Sequence, residues 1–238
     1  MGIESVSRTH VGLRRKVNED SLLVRDDCGL WVVADGMGGH EAGDVASSKV
    51  TEALGLLPAG DGLDRMVDDA IMALKRVNQD LIELAGPGAG GQRSIGTTVV
   101  GLAISGGEFR CFWAGDSRAY RVRDQQIIQL TRDHSMVQDL VDAGMLRPEE
   151  AADHPNSNII TRAVGVAEEL RVDTVGGEVR PGDQFILASD GLTRMVEDRE
   201  LVERLTANLP AVAADSLIDT VLSRGAPDNV TLVIATLA

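Results

Sequence analysis

Short apolar runs, many of them rich in β-branched and aromatic residues, recur along most of this chain. Those over residues 3–9, 21–25, 30–34, 97–104, 108–113, 118–123, 126–130, 171–176, 184–188 and 230–236 predict strands. Several are separated by only a few turn-type residues, such as Ser105-Gly106-Gly107 and Arg123-Asp124-Gln125, which predicts antiparallel hairpins. Helical spacing is rarer. Val67, Ile71, Leu74, Val77, Leu81 and Leu84 fall at steps of three and four, one stripe of a helix over 64–84. Residues 44–57 behave similarly through Val45, Val50, Ala53, Leu54 and Leu57, and two further helices are expected at 200–209 and 211–223. Grouped strands with one helical pair between them and another near the end point to α+β layers rather than alternating βαβ units.

Residues 133–160 break the pattern: a short helix, a turn at Gly144, a second short helix after Pro148, then a polar loop through Asn158. This reads as a mobile flap beside a site, or else as an ordinary surface excursion. No repeat or linker divides the chain, and the Gly-rich stretch 86–91 reads as a loop, so residues 1–238 are expected to form a single domain.

Composition narrows the classes of function. The net charge is −14, which disfavours a nucleic-acid binder or a protein resting on an anionic membrane. Six aromatic residues are too few for base-stacking platforms. The two cysteines, Cys28 and Cys111, allow at most one bridge and are read as free buried thiols. With no signal peptide and no long apolar window visible, the expected location is cytoplasmic.

Several chemistries fail on inspection. Gly86 and Gly91 have Walker A spacing, but Gln92-Arg93 stands where Lys-Ser/Thr is needed. Gly115-Asp116-Ser117-Arg118-Ala119 lacks the second glycine of a nucleophile elbow. Six residues separate Cys111 from Arg118, one too many for a cysteine phosphatase loop, and no Asp-x-Asp occurs.

What remains is a set of acids at strand tips. Glu19 and Asp20 precede one apolar run, Asp35 closes another, Asp116 and Asp190 follow two more, and Asp228 precedes the last. A single such acid is often a turn former. Several gathered at one end of a core would raise one another's pKa, a conflict that a divalent cation relieves. Oxygen-only ligands favour magnesium or manganese over zinc, and the four histidines show no zinc spacing.

At these residues the chain resembles the metal-dependent protein phosphatases (PPM, type 2C), in their short bacterial form. The matching blocks are Gly12 to Asp20, Val33 to His40, Gly96-Thr97-Thr98, Ala114 to Arg118, Leu130 to Ser135, Ile160 to Gly165, Ala188 to Leu192 and Asp228 to Thr231. They occur in family order across nearly the whole chain.

The resemblance implies a four-layer α-β-β-α sandwich, two packed antiparallel sheets flanked by helices, with a metal centre at one end. It implies two or three Mn2+ or Mg2+ ions. Asp35 would bridge two of them, Asp190 and Asp228 would complete one site, and the Gly36 carbonyl would help hold the other. Asp20, together with Glu19, would act on the metals directly or through metal-bound water, while Asp116 with Asp190 would hold a third, weaker ion. Arg15 matches the phosphate-binding arginine, whose forked guanidinium suits phosphoryl oxygens. His40 fits either a general acid or a group that orients water. Animal relatives carry their histidine where Met37 stands here. The activity implied is hydrolysis of phosphoserine and phosphothreonine in proteins by metal-activated water, opposing a bacterial Ser/Thr kinase and carried out by a monomer. A non-catalytic regulatory domain of the same fold and a small-metabolite phosphatase are the alternatives.

Overall fold

The computed structural model describes residues 2–38, 42–60, 62–86, 95–151 and 154–238. His40 and all of the Gly-rich stretch beyond Gly86 lie outside the described residues. One sheet contains β1 (Ile3–His10), β7 (Arg118–Arg123), β8 (Gln126–Gln129), β10 (Gln184–Ala188) and β11 (Val230–Leu237), in the order β1-β11-β10-β7-β8. The other contains β2 (Asp20–Arg25), β3 (Leu30–Met37), β5 (Val99–Ser105), β6 (Glu108–Ala114) and β9 (Asp173–Glu178) in that order, with the two-residue β4 (Gly96–Thr97) on β3. Every pairing is antiparallel. The outermost partners in sequence, β1 and β11, pair from Ile3↔Leu237 to His10↔Val230.

Alternation along the strands builds three apolar layers. Trp31 and Val33 point between the sheets, where they join Val100, Leu102, Phe109, Cys111, Phe185, Leu187 and Val233. Leu30, Val32 and Ala34 point the other way, under α1 (Ala42–Gly55) and α2 (Leu63–Ala85). On the opposite face Tyr120, Ile186, Leu232 and Ile234 are covered by α5 (Asp198–Ala207) and α6 (Pro210–Ser223). Central strands are therefore buried on both faces, which explains their continuous apolar runs. The expected four-layer sandwich is the observed architecture.

Local differences have physical reasons. The strand expected over 97–104 is interrupted at Thr98 without a change of register. Thr98 N–H donates to the Asp35 carbonyl (2.9 Å), but Asp35 N–H donates to the Thr98 hydroxyl instead of its carbonyl (3.1 Å). Helix α1 starts two residues early and is rotated from the expected stripe: Ala46, Val50 and Leu54 are buried and Val45 is exposed. The rotation turns Ser47 inward, where its hydroxyl donates to the Glu19 carbonyl (2.6 Å). Cys111 is buried, but Cys28 is only half-buried, a correction to the expectation of two buried thiols. Within 133–160 lie α3 (Met136–Asp142), Gly144 in the left-handed region and a single 3-10 turn at Pro148–Glu150. One element has no counterpart in the reading above, the four-residue α4 (Asp190–Thr193).

Candidate active site

The pairings bring the same end of both sheets together. Asp20 opens β2 and is the direct partner of Asp35 near the end of β3. Ala188 at the end of β10 pairs with Leu232 of β11, so Asp190 and Asp228 lie just beyond that edge, and Asp116 follows the end of β6. A cleft of about 430 Å³ runs over this end, lined by Arg15, Glu19, Asp35, Gly36, Asp116, Asp190, Arg194 and Asp228, with Asn158 and Ile160 from the 133–160 segment. Of the expected site residues, all but Asp20 and His40 line this cleft. Asp20 is half-buried and is not among the lining residues, and His40 is outside the described residues.

Polar neighbours position the acids. Ser189 Oγ donates to Asp20 Oδ2 (2.9 Å) and accepts from Thr231 N–H (3.0 Å). Asn229, 4% exposed, accepts from Glu19 N–H (2.8 Å) and donates to the Val11 and Val17 carbonyls (2.9 and 3.0 Å), so it fixes both ends of the loop that carries Arg15. Gly191 lets α4 pack onto this residue: a Cβ there would sit 1.8 Å from the Asn229 carbonyl oxygen. Glu19 directs its carboxylate at the backbone of Gly43 in the first turn of α1, a favourable place for negative charge. The segment 133–160 is rooted beside Asp116: His134 N–H donates to the Gly115 carbonyl (2.9 Å), and Gly115 N–H donates to His134 Nδ1 (3.1 Å).

Burial dominates the electrostatics. It raises the Asp20 and Asp116 carboxyls to about 7, and it holds Asp35 well above the ordinary carboxylate range with added repulsion from Asp20, Asp190 and Asp116. Asp190 is raised by burial too, with Arg194 working against the shift. Among the described residues, Asp20 Oδ1 and Asp116 Oδ1 are buried with no hydrogen-bond partner. Such orphaned anionic oxygens are costly, and a hard cation is a partner suited to them. The donor set fits such an ion: carboxylates and backbone carbonyls, all oxygen.

Two guanidinium groups stand among these acids. Arg15 Nη2 donates to Asp228 Oδ2 (2.7 Å), with Glu19 3.9 Å from Nη1. Arg194 Nε lies 2.9 Å from Asp190 Oδ2 and its Nη2 3.4 Å from Asp116 Oδ2. In this arrangement no three acidic, His or Cys side chains among the described residues are placed to enclose an ion. Arg194, Ser189 and Asn229 are the site residues that the sequence reading missed. The one available signal for Arg194 was its spacing of four from Asp190.

A family model described as protein phosphatase 2C matches residues 9–224. The chain belongs to the protein phosphatase 2C family. It is 39% identical over 233 residues to the serine/threonine protein phosphatase PstP of Mycobacterium tuberculosis, and the match covers 96% of this chain but only 44% of PstP. It is 34% identical over 236 residues to protein phosphatase PhpP of Streptococcus pneumoniae, where coverage is 96% and 95%. Among solved phosphatase 2C relatives, the PstP catalytic domain in complex with two manganese ions superposes with a TM-score of 0.85 at 36% identity, covering 98% of this chain and 97% of that one. PppA, described as a regulatory component of T6SS in Pseudomonas aeruginosa, gives 0.91 at 42% identity, with 99% and 98% covered. No helix among the described residues of this phosphatase 2C chain is long and apolar enough to cross a membrane.

Proposed function

We propose that this protein is a metal-dependent phosphatase of phosphoserine and phosphothreonine in proteins. The observation that carries the reading is the pair of buried oxygens, Asp20 Oδ1 and Asp116 Oδ1, unpartnered among the described residues, within a ring of acids that also holds the Arg15 and Arg194 guanidinium groups. Asp35, Asp190, Asp228, Asp20 and the Gly36 carbonyl are the groups that would hold two Mn2+ or Mg2+ ions, and Asp116 with Asp190 a third. When bound, the ions supply a nucleophile from water at neutral pH and neutralise charge developing on the phosphoryl group. Asp228, which accepts from Arg15 in this structure, would hold an ion instead, and the Arg15 guanidinium would be free to grip two phosphoryl oxygens and set their orientation. Asn229 keeps the Arg15 loop in register with the acids, and Ser189 fixes the rotamer of Asp20. His40 is proposed as the proton donor to the leaving oxygen.

The manganese-containing relative and the named protein phosphatases support this assignment. The substrates are taken to be phosphoproteins modified by a Ser/Thr kinase, and the enzyme a cytoplasmic monomer. Residues 1–238 are read as a single domain in which 133–160 forms a flap over the cleft. The test is hydrolysis of an aryl phosphate, a phosphothreonine peptide and a sugar phosphate, each with manganese and with EDTA. Manganese-dependent turnover with preference for the peptide supports the proposal. Activity that survives chelation, or preference for the sugar phosphate, overturns it.

A further inference from the structure

The loop that carries Arg15 is firmly tethered yet exposed along its crest. Asn229 holds it through Val11, Val17 and Glu19. In addition, Leu13 N–H donates to the Ala226 carbonyl (2.9 Å), and Asn18 Nδ2 donates to Thr9 Oγ1 (2.8 Å). Gly12, in the left-handed region, lets the loop lie close to the opposite rim: a Cβ there would sit 2.1 Å from the Asp228 carbonyl oxygen. Between these tethers Leu13, Arg14, Arg15, Lys16 and Val17 are all exposed. The charges of this crest run against the rest of the chain. Acids outnumber Lys and Arg by 37 to 23, and most arginines lie against a carboxylate, as Arg8, Arg118, Arg123 and Arg224 do. Arg15 itself meets Asp228 and Glu19. Its two neighbours, Arg14 and Lys16, form no hydrogen bond or ion pair among the described residues.

We propose that Arg14 and Lys16 determine substrate choice, selecting phosphopeptides with acidic residues beside the phosphorylated serine or threonine. The inference rests on the phosphatase reading above. Arg14 and Lys16 each stand one residue, ~3.8 Å at Cα, from Arg15. A residue next to the phosphorylated one in an extended peptide is offset from it by a similar step, so these cations meet the flanks of the substrate and Arg15 meets the phosphoryl group. The need for them follows from the net charge of −14. An anionic peptide approaching such a protein is repelled, and a local group of unpaired cations at the mouth of the cleft reverses the sign where the peptide must land. Basic flanks lose that attraction and meet like charge instead. Because the loop is tethered before substrate arrives, little ordering is needed to present the two side chains.

The test compares phosphothreonine peptides of one sequence whose flanking positions carry Glu, Ala or Lys, hydrolysed with manganese. The enzymes are the full chain, the double variant Arg14→Gln with Lys16→Gln, and the double variant Arg14→Glu with Lys16→Glu. In the unsubstituted protein, kcat/KM is expected to favour Glu over Lys flanks by about 10-fold, mostly through KM. The preference shrinks as salt rises from about 0.02 M to about 0.5 M. The double Gln variant loses about 3–10-fold of that ratio, since each exposed charge contact is worth up to a few-fold. The double Glu variant reverses it. The kcat for an aryl phosphate, which has no flanks, stays within about twofold in both variants. Equal ratios in the unsubstituted protein and the double Gln variant overturn the inference and leave the phosphatase reading standing. So does a preference indifferent to salt, or an aryl-phosphate kcat that falls as far as the peptide rates, because the cations would then serve the phosphoryl group. If no phosphopeptide is hydrolysed, the phosphatase reading falls and this inference falls with it.

Discussion

Asp20 and Asp35 are direct cross-strand partners in the antiparallel pairing of β2 and β3, two carboxyls placed side by side in a buried site. Like charges at such positions oppose folding. Burial holds Asp20 at about 7, with Asp190 and Asp228 adding repulsion, and Asp116 is held at about 7 in the same way. Between the ordinary carboxylate value near ~4 and these raised values, the folded chain binds more protons than the unfolded one, so stability falls as pH rises through that window. Without metal, the melting temperature contributed by this site is expected to drop from pH 5 to pH 7.5. Manganese should raise it at pH 7.5 by several degrees more than at pH 5, because protons and metal compete for the same oxygens. Calorimetry with EDTA and with manganese at the two pH values checks this, and an equal manganese effect at both would contradict it.

Asp190→Asn keeps the size of the side chain and removes one of the clustered charges. Turnover of an aryl phosphate with manganese is expected to fall at least ~10³-fold, the scale seen when a preorganised electrostatic group is lost. The metal-free variant, in contrast, should be more stable at pH 7.5 by about 1 kcal/mol, the common exchange of stability for function at a strained site. Kinetics and urea unfolding of the same preparation measure both.

Asn229 is a scaffold residue whose loss should be felt at Arg15. Asn229→Ala leaves Glu19 N–H and the Val11 and Val17 carbonyls without their partners in a buried place. The expected cost is about 2–4 kcal/mol of stability. In the fraction that folds, KM for a phosphopeptide should rise more than kcat falls, because the loop that presents Arg15 is loosened. An unchanged KM would separate Asn229 from substrate binding.

Arg15→Lys retains the charge and loses the fork. The Arg15–Asp228 pair is half-exposed, so stability should change by less than ~1 kcal/mol. kcat/KM for phosphothreonine peptide is expected to fall about 10–100-fold, because a point charge cannot bind two phosphoryl oxygens in fixed geometry. Steady-state kinetics beside a thermal melt distinguishes this from simple unfolding.

The acids were legible because each stands at the tip of an apolar strand, and burial on both faces makes the central strands stand out in the pattern. Arg15 was legible only through the family motif, since Arg14-Arg15-Lys16 alone reads as a solvated run of cations. Arg194 left no periodic signal: α4 is one turn long, too short to show a helical repeat. Ser189 and Asn229 have no distinguishing signal beside the acids they adjoin, and their roles depend on contacts with residues more than 160 positions away in sequence. The rotation of α1 was hidden for a related reason. A serine on the core side is unfavourable by hydropathy, and the Glu19 and Asp44 carbonyls that its hydroxyl meets make it acceptable. Local pattern therefore specified layers and strand tips, and long-range hydrogen bonds specified the site's internal order.

The pairing of β1 with β11 sets a condition on when this chemistry can begin. Arg15 lies just after the first strand and Asp228 just before the last, and they meet only when strands more than 200 residues apart have zipped together. Contacts of such separation form late in folding. During synthesis, a ribosome-bound intermediate that has not yet released residues 228–237 holds every acid of the ring except Asp228 and none of the Arg15–Asp228 contact. Catalytic competence is therefore an all-or-none property of the completed sandwich, and a nascent or C-terminally clipped molecule is expected to be silent instead of weakly active.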